Sequence, residues 1–301
     1  MSGIALEALH SRFLRFTLLG IIFATSLIAQ PRTPIPTGKG VPLSPEEAAT
    51  RLHQFRHQPL TGDFTFQFEL EHMPRRGESR VFKGLLWGTW NQFGPLMRAR
   101  FSATEGVQVG KSIEMILQNG TQPSIWQRHL SSSLNNPPTQ PPPFTNLTSQ
   151  NWFKEILPGV GYVPFDLLMP FSYWPDTRYI GPEKVKGRPA HIFQATPPIG
   201  FRGFEGQFKL VRYALDDSYN ALLRVEILGP LDKPLRTFKI LSFKKLEDEQ
   251  WIIKTIDLVN EISRDKARFQ VTAAAVGNKN PDILFDYRQT FIPQPDKLKR
   301  L

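Results

Sequence analysis

The 301-residue chain contains no cysteine. A disulfide framework, a thiolate metal site and a Cys nucleophile are therefore excluded. No thiol follows the N-terminal apolar segment to accept a lipid, so if the chain handles lipids it is not itself a lipoprotein. Tyrosine is scarce, 6 residues against 23 Phe and 6 Trp, so most aromatic surface carries no hydroxyl that needs a partner when buried. The sequence has neither a Gly-x-Ser-x-Gly nucleophile turn nor a phosphate-cradling glycine loop. Acidic residues are also few: 27 Asp and Glu face 37 Lys and Arg, a formal net charge of +10. The excess is spread along the chain, and reads either as a solvated basic surface or as attraction to anionic lipid headgroups. No nucleic-acid recognition motif accompanies it.

No apolar run reaches membrane-spanning length. The longest, Phe16 to Ala29, covers about 14 residues, roughly 21 Å as a helix against roughly 30 Å of hydrocarbon. Arg12 and Arg15 precede it and Gln30, Pro31 and Arg32 end it, the order of an export signal. Cleavage after Ala29 fits, while Leu27, where a small residue is expected, leaves an uncleaved anchor open. Residues 1–29 are expected to be a signal peptide and 30–43 a proline-rich extended tether.

Ser44-Pro45-Glu46-Glu47 has the pattern of a helix start: a serine cap, proline in the first turn and a glutamate that completes a capping box. A helix of about 14 residues is expected, with Ala48, Ala49, Leu52 and Phe55 on its apolar stripe. From Gly62 the period becomes two, with Phe64, Phe66, Phe68 and Leu70 on one face and Thr65, Gln67, Glu69 and Glu71 on the other, an antiparallel strand with one wet side. Val81 to Trp90, interrupted by Gly84 and Gly88, predicts a second strand, and shorter strands follow to Leu130. Residues 131–150 are rich in Ser, Asn and Pro and read as an insertion. Trp152–Leu157 and Pro164–Met169 predict two short helices ended by prolines. Strands then recur from Ala190 to Val276, joined by acidic or glycine–proline turns. Short connections imply antiparallel neighbours. About ten or eleven strands are expected, too many to lie flat, so the fold class is mainly β (α+β): one strongly curved, unclosed antiparallel sheet with short helices on its concave face.

Pro164-Phe165-Asp166-Leu167-Leu168, with Pro170-Phe171 and Trp174, and then Tyr179-Ile180-Gly181-Pro182-Glu183-Lys184-Val185-Lys186-Gly187-Arg188, resemble the outer-membrane lipoprotein-sorting protein family. The resemblance is sharpest over residues 164–188 and extends in pattern over about 44–290. It implies a LolA-like fold, a bent half-barrel lidded by helices around an apolar cavity, in one domain over 44–290 with a basic tail at 291–301. Members of such families carry lipoprotein acyl chains through the periplasm, and structural relatives bind other lipids or sense misfolded envelope proteins. The 131–150 insertion departs from the family pattern, and no arginine here is matched to the family's cavity-gating arginine.

The expected ligand-lining residues are Phe64, Phe66 and Phe68 of the first strand, Trp87 of the second, and Trp152, Phe165, Leu168, Phe171 and Trp174 of the aromatic segment. Acyl chains of lipoproteins or other lipids are the expected ligand, and a membrane-associated donor or acceptor protein the expected partner. A protein-docking module on the same fold, its interior filled by its own side chains, is the alternative. No cofactor is expected. His53 and His57, one helical turn apart, lack a third metal ligand, and Asp216-Asp217 and Glu247-Asp248-Glu249 read as turns. With no catalytic constellation, the chain is not expected to be an enzyme. The Gly200–Gly206 stretch reads either as a hairpin connection with packed phenylalanines or as a rim exposing Phe201 and Phe204.

Overall fold

The structure is a computed structural model that describes residues 40–57, 60–104, 109–131, 141–201, 203, 206–246, 249–294 and 297–301. The expected signal peptide, all but the end of the tether, residues 132–140 of the insertion, Phe204, Glu247 and Asp248 lie outside the described residues.

The first ordered element is α1 (Pro45–Arg56). Its serine cap is reciprocal: the Glu47 amide donates to Ser44 Oγ at 3.2 Å, and the Ser44 amide donates to the Glu47 carboxylate at 2.8 Å. Two otherwise orphaned donors are thereby satisfied. Among the described residues fourteen strands follow: β1 (Asp63–Met73), β2 (Arg80–Asn91), β3 (Gly94–Ala103), β4 (Lys111–Gln118), β5 (Ser124–Ser131), β6 (Thr145–Asn146), β7 (Thr177–Val185), β8 (Arg188–Ala195), β9 (Leu210–Asp216), β10 (Leu222–Leu228), β11 (Pro234–Lys245), β12 (Trp251–Asn260), β13 (Lys266–Asn278) and β14 (Lys299–Arg300). They form one antiparallel, unclosed sheet in the order β6-β5-β4-β3-β2-β1-β13-β12-β11-β10-β9-β8-β7, with β14 paired to β13.

Three of these strands go beyond the sequence expectation. Two, β6 and β14, are only two residues long. The third, β7, carries Gly181 and Pro182 in mid-strand and pairs only with β8, across a register irregularity between Tyr179 and Gly181. Proline donates no ladder hydrogen bond, and an edge strand is where that loss is tolerated. The expected helix at Trp152–Leu157 is instead a 3-10 turn at Ser149–Phe153. Beyond it, the Glu155 carboxylate accepts from the amides of Gly159 at 2.8 Å and Gly161 at 3.2 Å, both glycines having left-handed φ (80° and 74°). That local wrap competes with a helix.

The sheet must bend. Laid flat at about 4.8 Å per strand it would be roughly 60 Å wide. Yet Phe82, Met97 and Leu117 from one wing and Phe193, Tyr213 and Phe238 from the other belong to a single buried core cluster. Register shifts in β1–β13, β10–β11 and β11–β12 are the irregularities that bend and twist such a sheet.

Chain order explains what covers the two faces. After β6, at one edge, the chain resumes as β7 at the opposite edge, so residues 147–176 must cross the concave face. They do so as the 3-10 turn at 149–153, the short helix α2 (Pro164–Leu168) and a second 3-10 turn at Pro170–Tyr173. After β13, residues 279–294 strap the outer face. There Arg98 and Arg100 of β3 and Arg128 of β5 surround the carboxylate of Glu114, on β4 between them, at 2.6–2.9 Å and also donate to the strap carbonyls of Leu284, Gln289, Phe291 and Pro293. Trp126 stacks on Tyr287 of the strap at 3.7 Å between ring centroids.

Candidate functional site

The period-two stripe of β1 points Phe64, Phe66 and Phe68 into the concave face, all fully buried. The two glycines of β2 make room for them. A Cβ on Gly88 would lie 2.0 Å from the Phe64 ring, and one on Gly84 would lie 2.2 Å from the Phe68 ring. Phe64 stacks on Phe66 at 4.6 Å, and Phe68 contacts Phe269 at 4.6 Å and Phe101 at 5.1 Å. These spacings fall within the favourable range for aromatic pairs.

The bridging segment supplies the opposing layer. Phe165 lies 4.9 Å from Phe153 and 5.7 Å from Phe208, Phe171 lies 5.7 Å from Tyr213, and Trp174 lies 5.2 Å from Phe201. Trp152 is buried, its indole N–H donating to the Leu147 carbonyl at 3.1 Å. Leu168 and Phe171 have no exposed surface. Phe201 is half-buried and packs into this layer, and the built Cβ of Gly203 would meet the Phe153 ring at 2.3 Å. The Gly200–Gly206 connection therefore follows the packed-phenylalanine reading where it is described.

Eight of the nine expected lining residues meet in this one apolar layer. Trp87 does not. Along β2, Phe82, Gly84, Leu86 and Gly88 face inward, so Trp87 points to the outer face, where it packs with Leu284 and Phe285 of the C-terminal strap. The glycines interrupt the alternation that would have placed it. Sequence reasoning also passed over Phe153, Phe208, Tyr213 and Phe269, which complete the layer. Phe208, Tyr213 and Phe269 come from distant strands and connections outside any dense cluster, whereas Phe153 sits beside Trp152 in the aromatic segment and could have been read with it.

Polar contacts hold the bridging segment down. From β11, the Arg236 guanidinium forms a bidentate pair with buried Asp166 of α2 and donates to the Gly161 carbonyl at 2.8 Å. Asp166 also accepts from the Val163 amide at 2.9 Å. Burial pushes the Asp166 carboxyl up from its ordinary range, with Arg236 and the Val163 amide opposing. From α1, Arg56 donates to the carbonyls of Ser172 and Trp174, and Tyr173 returns a hydrogen bond to the Arg56 carbonyl at 2.8 Å. Asn119, in the β4–β5 turn, donates to the Leu168 carbonyl at 2.6 Å. All but the Arg236–Asp166 pair engage the segment largely through its backbone carbonyls.

Among the described residues, the side chains of the bridging segment pack directly against the concave face of the sheet. A cavity of about 280 Å³ lies at one end, lined by His72, Phe153, Val163, Leu235, Arg236 and Ile262 among others, close to the lower limit of about 300 Å³ for small-ligand sites. His53 and His57 stack on α1 at 4.1 Å, and among the described residues no three His, Asp or Glu are placed to hold a metal. Asp216 accepts from the amides of Ser218 and Tyr219, which is turn chemistry. Among the described residues, no helix is long and apolar enough to cross a membrane.

This architecture, an unclosed bent sheet lidded by short helices, is the LolA-like fold. The structure resembles a proposed outer membrane lipoprotein-sorting protein domain from Vibrio parahaemolyticus, with a TM-score of 0.61, 14% identity and coverage of 80% of this chain and 94% of that one. A DUF1329 family protein from Desulfovibrio piger gives a TM-score of 0.62 at 12% identity, covering 79% and 94%. A LolA superfamily protein from Nitrosomonas europaea gives 0.52 at 11% identity, covering 81% and 98%. No family model and no curated protein matches the sequence.

Proposed function

We propose that the chain is an exported carrier of acyl chains, working in the periplasm on lipoproteins or other lipids, with Phe64, Phe66, Phe68, Trp152, Phe165, Leu168, Phe171 and Trp174 as its binding surface. The observation that carries this reading is their assembly into one apolar layer, three from β1 and five from a short, broken segment laid over it and held by polar contacts. Because the bridging segment packs directly on the phenylalanine face, binding requires the segment 147–176 to lift, exchanging its side chains for lipid tails. Each buried methylene contributes about 0.8 kcal/mol without needing a polar partner, whereas each polar latch contributes about 1–3 kcal/mol. A long tail therefore outweighs several latches and a short one does not. The export pattern at residues 1–29 and the sorting-protein neighbour support the envelope location and the ligand class.

In the test, delipidated protein is incubated with vesicles containing a triacylated lipopeptide, re-isolated and analysed by native mass spectrometry. Lipid adducts are expected, and their loss in Phe66→Asp is expected with them. Absence of any adduct on the unsubstituted chain would sink the reading.

The packing of the bridging segment on the sheet also favours a second reading, a protein-docking module of the cell envelope without a transported ligand. A crosslinked protein partner retained in Phe66→Asp and Phe171→Asp, with no lipid adduct in either, would select it.

A further inference from the structure

Antiparallel alternation places the β1–β2, β3–β4, β8–β9, β10–β11 and β12–β13 connections along one rim of the sheet. Direct contacts join several of them. The Glu261 amide donates to the Leu235 carbonyl at 2.9 Å, the Lys209 amide to the Leu228 carbonyl at 2.8 Å, and the Arg75 amide to the Asp265 carboxylate at 2.7 Å.

Four of these five connections hold a large aliphatic side chain out in solvent: Ile199, fully exposed, Leu231 at 84%, Ile262 at 70% and Val109 at 61%. Single exposed apolar residues, such as Val41, Ile180 and Ile283 elsewhere on the surface, need no explanation, but four gathered at the tips of one rim do. Leu231 is held there at a left-handed φ of 57°, a conformation disfavoured for a branched side chain. The opposite rim exposes Phe93 and Tyr219 among its described connections.

The charges around these tips are mostly positive. Arg75, Arg76, Arg80, Lys111, Lys233 and Arg264 are exposed along the rim, and Lys209 is paired with Asp232 at 2.7 Å. On the acidic side, Glu78 is exposed, as is Glu155 beside the cavity, where it accepts from the Gly159 and Gly161 amides; Glu261 is paired with Arg264, and Asp265 accepts from the Arg75 amide. Aliphatic tips among cations match a bilayer interface, where apolar groups enter the acyl boundary and Lys and Arg meet anionic headgroups.

From this we infer that the rim docks on an anionic bilayer, inserting Ile199, Leu231 and Ile262. The cavity of about 280 Å³ is lined by Ile262, Asp265 and Lys266, so docking brings its mouth to the membrane. The inference stands whether or not the chain carries lipid.

The chain has no cysteine, so single labels can be placed without removing any native thiol. Leu231→Cys and Ile262→Cys, with Phe93→Cys as the opposite-rim control, are made in the full chain and labelled with nitrobenzoxadiazole. All three positions are exposed, so the core is left intact. The probe is a vesicle of phosphatidylcholine and phosphatidylglycerol with brominated tails. Quenching at positions 231 and 262 is expected to exceed that at 93 by about twofold or more, and to weaken in phosphatidylcholine alone and at about 1 M salt, where charge attraction is screened within about 3 Å. Equal quenching at all three positions, none at 231 and 262, or no dependence on anionic lipid and salt would each overturn the proposal.

Discussion

Replacing Arg236 with methionine tests how the bridging segment is held. The substitution keeps the apolar stem but removes the guanidinium that faces Asp166, whose side chain is fully buried. Removing one partner of a buried pair leaves an uncompensated charge and costs about 3–5 kcal/mol. The lost hydrogen bond to the Gly161 carbonyl adds to this. The penalty must also depend on pH. Burial already raises the Asp166 carboxyl, and without Arg236 it rises further above its unfolded value near 3.9. The variant then loses stability as pH rises through the folded value and regains it below about 4. The cost is therefore largest at neutral pH. Urea denaturation monitored by tryptophan fluorescence, at several pH values, measures it. The double variant Arg236→Met/Asp166→Leu removes both charges and should recover most of the loss, since apolar replacement of a buried pair is often neutral or stabilising. A cost below about 1 kcal/mol at pH 7, or one that does not shrink on acidification, would refute the reasoning.

Three further outcomes follow from the geometry. Gly88→Ala puts a methyl group 2.0 Å from the Phe64 ring and touching nothing else so closely; it should cost about 1–3 kcal/mol by overpacking, and adding Phe64→Leu should cost less than the two changes summed, as read from a double-mutant cycle in urea. Burial would raise the Glu114 carboxyl, but Arg98 and Arg100 outweigh it and hold the group below its ordinary range; its contribution is thus present above about 4.3 and is lost as pH falls below that value, so the urea midpoint should drop in acid and drop less in Glu114→Gln. Adduct formation with lipids should rise steeply with tail length, each added methylene contributing about 0.8 kcal/mol; equal binding of short and long tails in a native mass spectrometry series would contradict a cavity mechanism.

Much of this was legible where the signal was local. The Ser44 to Glu47 box and the β1 phenylalanine stripe depend on spacings of three and two residues, and both formed as spaced. The aromatic segment was visible as a dense run, and chain order placed it over the concave face. What escaped depends on pairings far apart in sequence. Arg236 and Asp166 are 70 residues apart, and nothing near either identifies the other. The Arg100–Glu114–Arg128 row requires the registers of three strands, which side-chain patterns alone leave open. Gly181 and Pro182 hid β7 because both are poor strand formers away from an edge. Trp87 was assigned by composition, and the strand's alternation turned it outward.

The central claim is that lipid tails enter by displacing the segment 147–176 from the phenylalanine face of the sheet. Hydrogen–deuterium exchange with and without a triacylated lipopeptide measures this directly. Faster exchange over 147–176, with β1 and β13 unchanged, is the predicted result; lipopeptide binding that leaves 147–176 as protected as in the free protein would contradict the claim.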